Sequence, residues 1–150
     1  MPGLRDSYST TKVLVALTPT VVDTDGNTDG AIIDTRDCDS HLFTAIADTI
    51  EADDTITLSI LESDDSGMSG ATAAGGEDVL VDQNTNEDGG PSTVVMTAGS
   101  AVVGKIGYVG NKRYIRLRAA VAGLGVEVEV TVAATYAGRH LHEVPVRPLA

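Results

Sequence analysis

The sequence predicts an all-β chain, folded as an antiparallel β-sandwich or jelly-roll-like barrel of about seven to nine short strands. Three observations carry this. Apolar, β-branched runs recur at intervals of 8–15 residues, and Gly, Asp and Asn fill the stretches between them. No segment shows a sustained helical periodicity. With four Tyr, one Phe and no Trp, the core must come from Val, Ile, Leu and Ala, which suits a thin sandwich. A chain of 150 residues is the size of one domain and can bury about two thirds of its unfolded surface without metal or disulfide support. The expected organisation is an extended arm over 1–11, a single sandwich over 12–137 and an extended tail over 138–150.

Lys12–Thr18 reads as the first strand, stopped by Pro19, with Val21 and Val22 continuing after a kink. Asp23–Gly30 reads as a polar turn of residues that tolerate left-handed backbone. Ala31–Asp34 and Ser40–Ala47 follow as short strands. In the second of these Leu42 is out of phase with Phe43, so both faces are expected to be partly covered. Asp48–Asp54 has room for one helical turn. Thr55–Glu62 alternates Ile56, Leu58 and Ile60 with Thr55, Thr57 and Ser59, a strand with one wet face. Residues 63–93 form an acidic, solvated loop region broken only by Val79–Val81. Val94–Thr97 and Ala101–Tyr108 are further strands. Val109–Lys112 is expected to turn the chain into a returning hairpin strand, Arg113–Arg118, with Tyr114, Arg116 and Arg118 on one face. Val126–Val132 is read as the last strand. The tail from Gly138 carries two prolines and should be extended.

The charge is polarised along the chain. Eighteen of the 22 acidic residues lie between Thr20 and Gly90 against one base, Arg36, whereas residues 101–150 hold seven bases and three acids. A net charge of −12 opposes broad nucleic-acid or membrane binding, and no apolar run reaches the length of a membrane span. Met1–Asp6 has no apolar stretch of the kind a secretory leader needs, so the expected site of synthesis is a cytoplasm. Cys38 is the single cysteine, and its neighbours Asp37 and Asp39 oppose a thiolate.

Few residues suggest chemistry. Asp25, Asn27 and Asp29 occupy the first, third and fifth positions of an EF-hand-like loop, with Gly30 at the sixth. The twelfth position is Arg36, which excludes an EF-hand and leaves an Asx-rich turn or a cation contact. Asp53-Asp54, Asp64-Asp65 and Glu77-Asp78 sit in polar loops with no apolar pocket to shift a pKa. His140 and His142 lack a nearby third ligand. Neither an enzyme nor a cofactor is expected. The one segment with interface character is Lys105–Arg118. Its glycines let another chain approach, and Lys105, Tyr108, Lys112, Arg113, Tyr114, Arg116 and Arg118 are basic or aromatic. Arg139 and Arg147 extend the same character into the tail. The alternative is that these bases neutralise the chain's own acidic loops.

Lys105-Ile-Gly-Tyr-Val-Gly-Asn-Lys-Arg-Tyr-Ile-Arg-Leu117, with Ile33–Ser40 and Glu62–Ser66 before it, resembles small proteins encoded among the head genes of tailed bacteriophages. The resemblance covers roughly residues 30–118. It implies a capsid decoration (cement) protein on the outer surface of the virion, commonly a homotrimer, with the major capsid protein as partner and no catalysis. A head-completion or tail ring component, and a surface module for cations or carbohydrate, are the alternatives.

Overall fold

A computed structural model describes residue 8 and residues 10–81, 91–125 and 129–139. Among the described residues there are eleven strands: β1 (Thr11–Val22), β2 (Gly26–Asp29), β3 (Ile33–Asp34), β4 (Ser40–Ile50), β5 (Thr55–Ser63), β6 (Thr72–Ala73), β7 (Val79–Leu80), β8 (Val94–Met96), β9 (Gly99–Tyr108), β10 (Tyr114–Ala122) and β11 (Val130–Arg139). All pairings between them are antiparallel. One sheet has the order β1-β11-β4-β9-β7. The other runs β2-β10-β5-β6, with β3 also on β10 and β8 on β5. The expected antiparallel sandwich is what the chain forms. Its jelly-roll character lies in the path, which crosses between sheets after β1, β3, β4, β6, β7, β8, β9 and β10.

The core follows from the period of two. Ile56, Leu58 and Ile60 of β5 and Ile115, Leu117, Ala119 and Val121 of β10 point inward from one sheet. Phe43 and Ala45 of β4, Ile106 of β9 and Val132 and Tyr136 of β11 meet them from the other. Each large aliphatic side chain buried this way contributes about 1.5–3 kcal/mol. Phe43 and Tyr136 pack at a tilt with ring centroids 5.3 Å apart, a favoured aromatic geometry.

Several expectations are corrected. Pro19 does not stop the first strand. Strand β1 runs through it at the edge of its sheet, taking up register shifts between Val15 and Leu17 and between Leu17 and Thr20. An edge strand with bulges can carry a residue that has no N–H. The polar turn at 23–30 becomes strand β2 from Gly26, because β10 offers its edge there. Asp48–Asp54 is no helical turn: β4 continues to Ile50, and the Asp54 N–H then donates to the Glu51 carbonyl at 3.2 Å. The 63–93 region is less open than expected. It contains β6 and β7 and buries Met68, Ala74 and Val79, while residues 82–90 lie outside the described set.

The last strand is described from Val130, and residues 126–128, where it is expected to begin, lie outside the described residues. It carries on to Arg139, two residues into the stretch expected as tail, with 140–150 again outside the described residues. The largest correction concerns β9 and β10, which are not a hairpin. At Tyr108 both edges of β9 are taken, by His41 and by Val79, and at Tyr114 both edges of β10 are taken, by Ser63 and Asp34. Residues 109–113 therefore arch from one sheet to the other.

Candidate functional site

Strand β10 places Tyr114, Arg116 and Arg118 outward, as the alternation requires, but their charge is spent inside the molecule. Arg118 donates from Nε to Asp29 Oδ1 at 2.6 Å and from Nη2 to Asp29 Oδ2 at 2.9 Å, a bidentate pair across the β2–β10 register. Arg116 Nη2 lies 2.7 Å from the same carboxylate. The Arg118 hydrogen bonds, and the positive charge of both arginines, hold Asp29 below the usual carboxylate range against the opposing effect of burial. Lys112 donates to Asp64 at 2.6 Å, and Arg113 reaches Asp34 at 3.1 Å while lying over the Tyr114 ring. Asp34 also accepts from the Arg36 backbone and guanidinium, capping the 3₁₀ turn Thr35–Asp37.

Tyr108, expected at an interface, is a core residue with 1 % exposure. Its hydroxyl donates to Glu62 Oε2 at 2.7 Å and accepts from the Lys112 N–H at 3.0 Å, tying the arch to β5. Burial, then the bond to Glu62, pushes its pKa up. Thus Lys112, Arg113, Arg116 and Arg118 neutralise the chain's own acids, the alternative the sequence allowed. Lys105 points outward from β9, Arg139 closes β11 opposite Thr11 and Ser40, and Arg147 lies outside the described residues.

The cation candidates are also dispersed. Asp29 is held by two arginines, Asp25 accepts from the Leu124 N–H at 2.9 Å, and Asn27 is exposed on β2. Extending the segment as a strand prevents its oxygens from wrapping one point. Beside the core, His41 Nδ1 shares a 2.7 Å hydrogen bond with the Tyr136 hydroxyl, and burial lowers the His41 pKa.

A different surface stands out. The outer face of the β1-β11-β4-β9-β7 sheet carries apolar rows on either side of a mostly polar one. The register sets Val13, Ala137, Leu42, Gly107 and Leu80 in one row across all five strands. Val15, Thr135, Thr44 and Lys105 form the next, and Ala133, Ile46 and Val103 the one after. Val13, Ile46 and Val103 are 64 %, 53 % and 62 % exposed. Two open grooves cross this face. One of about 470 Å³ lies between Ser40, Leu42, Leu80 and Lys105, and one of about 260 Å³ between Val15, Pro19, Ile46 and Ala133. Exposed apolar patches in general mark contact surfaces for protein, membrane or ligand. The signal was present in the sequence as apolar residues in both phases of one strand: Leu42 and Ile46 against Phe43 and Ala45, and Val103 against Ile106.

No family model matches the chain, and no curated protein matches it. Among solved structures it is similar to the exported protein XepA of PBSX, with a TM-score of 0.54 and 20 % identity over 93 % of this chain and 42 % of that one. It is also similar to a chain of infectious bursal disease virus, Gx strain, with a TM-score of 0.51 and 10 % identity over 85 % of this chain and 31 % of that one. The chain thus spans less than half the length of either. At these identities the likeness shows a shared β-sandwich fold.

Proposed function

We propose that the chain is a structural virion protein, a decoration (cement) protein that binds the major capsid protein on the outer surface of a tailed-bacteriophage head and has no catalytic role. The observation that carries this is the exposed apolar face of the β1-β11-β4-β9-β7 sheet. The rest of the molecule presents acidic loops and a charge-paired sheet. A rigid two-sheet body with one apolar face and a strongly negative remainder adds contact area where it lies down and keeps its outward side soluble. The sequence resemblance over residues 30–118 and the sandwich fold support the same reading. Stabilisation of a shell needs only this added interface, repeated over many junctions.

The test is co-sedimentation of the purified protein with expanded capsids lacking it, followed by heating. Bound protein should raise the temperature at which the shells release DNA, and Ile46→Lys should weaken binding at least tenfold. Shells that neither bind the protein nor gain heat resistance would sink the proposal. Copy number separates it from the ring alternative. Hundreds of copies per particle fit a shell, and about a dozen fit a ring.

A further inference from the structure

We propose that the open edge of β1 over Thr11–Val15 pairs antiparallel with the same edge of a second copy of this chain, so that two five-stranded sheets join into one. The two-fold axis stands at right angles to the sheet at Val13. The outer face of each sheet stays free, so this contact is separate from the one proposed for the capsid protein.

The sheet edges differ in how they are closed. Strand β1 is 12 residues long and pairs on one side only, with β11. The other terminal strands, β7, β2 and β6, have 2, 4 and 2 residues. An edge strand turns alternate N–H and C=O groups outward, where they template another strand unless a proline, a bulge or a charge blunts them. The second half of β1 carries such devices. Pro19 has no N–H, and the register shifts between Val15 and Leu17 and again between Leu17 and Thr20. The Ala16 carbonyl already accepts from the Ala31 N–H at 2.7 Å. Thr11–Val15 has none of these. It runs in unbroken register against Arg139–Thr135, and among the described residues no backbone group bonds to its outer edge.

The side chains of this half are uncovered on both sides. Val13 and Val15 are 64 % and 58 % exposed on the outer face. Leu14 lies opposite the buried Tyr136 and is still 36 % exposed. Charge selects the occupant. The chain has a net charge of −12, yet Thr11–Val22 contains no Asp or Glu and a single Lys. Two copies therefore meet along β1 without setting carboxylates side by side. Strand β2, by contrast, ends in Asp29 and follows Asp23 and Asp25, and β7 follows Glu77 and Asp78. The segment is also its own complement. About Val13, Thr11 lies opposite the partner's Val15 and Lys12 opposite the partner's Leu14, each pair on one face of the joined sheet. Such a contact is isologous and closes at two copies, not the trimer that the resemblance implies. Five paired residues bury less than a standard interface of about 1,600 Å², so the pair is expected to dissociate on dilution.

The test is sedimentation equilibrium of the full-length chain from about 1 µM to about 1 mM. The mass should rise from 15.5 kDa toward twice that value. Val13→Glu sets two like charges face to face at the axis. It should raise the dissociation constant about tenfold or more with unchanged circular dichroism. Cross-linking in a Cys38→Ser background reads the register. Val13→Cys should form a disulfide-linked pair under glutathione disulfide, because directly opposed Cβ atoms on neighbouring strands lie about 4.5–5.5 Å apart. Val21→Cys, at a residue 56 % exposed on the blunted half, should stay single. A mass that remains at one copy throughout, or climbs to three, overturns the proposal. So does a pair that Val13→Cys locks no faster than Val21→Cys.

Discussion

Single residues decide how the acidic load is tolerated. Asp29 is the junction of two arginines on a half-buried sheet face, and Asp29→Asn would leave Arg116 and Arg118 side by side without a counter-charge. The expected loss is about 1–2 kcal/mol, read as a lower urea midpoint. The sign of its pH dependence follows from its lowered pKa. Its contribution is fully present above the ordinary value of 3.8 and is lost as pH falls through the lower folded value. His41 acts in a higher window. The fold keeps its imidazole neutral, whereas the unfolded chain takes up a proton near pH 6.5, so stability should decline as pH drops below 6.5 and level off below the folded pKa. Denaturant melts from pH 8 to 4.5 should show that decline, and His41→Gln should flatten it. A slope unchanged by the substitution would place the titration elsewhere. None of this residue-scale pairing was legible in the chain, since the partners Asp29 and Arg118, or Glu62 and Tyr108, are far apart in sequence.

At the scale of elements, legibility followed the strength of alternation. Strand β5 was predicted to within one residue because Ile56, Leu58 and Ile60 alternate with Thr55, Thr57 and Ser59, and only one orientation buries the first set. Strand β10 was predicted in the right phase but ended at Arg118, four residues short of Ala122, where the alternation of apolar and charged residues gives way to small ones. Strand β1 was cut at Pro19 because proline ends central strands, and an edge position cannot be read from one segment. The supposed β9–β10 hairpin failed for a similar reason. Gly110-Asn111 promises a tight turn, but partners from elsewhere already occupy the strand edges beside it. Gly30 shows how narrow the passage between elements is. It lies between β2 and β3, its N–H donates to the Leu117 carbonyl at 2.8 Å, and a Cβ there would strike the Ala16 carbonyl oxygen. Gly30→Ala should therefore cost about 2–3 kcal/mol by forcing the sheets apart locally. In the core, Leu117→Ala should cost about 2–5 kcal/mol. A Gly30→Ala protein as stable as the wild type would mean that this crossing yields more easily than its contacts indicate.

For the molecule as a whole, the exposed face is a property of five strands together, and single runs such as Leu42 and Ile46 against Phe43 and Ala45 announced only part of it. The charge map along the sequence drew attention to Lys105–Arg118 because bases are conspicuous. Folding spends most of that charge on nearby acids and leaves the neutral sheet uncovered. Ile46→Lys is thus expected to leave the melting temperature within about 2 °C of wild type while weakening capsid binding, a separation that a buried residue could not give. The path of the chain also fixes when the molecule can exist. Strand β1 has one partner in its sheet, β11, so Thr11 must wait for Arg139 before it can be held. During synthesis β1 therefore stays unpaired until β11 has been made, and the five-stranded sheet closes only then.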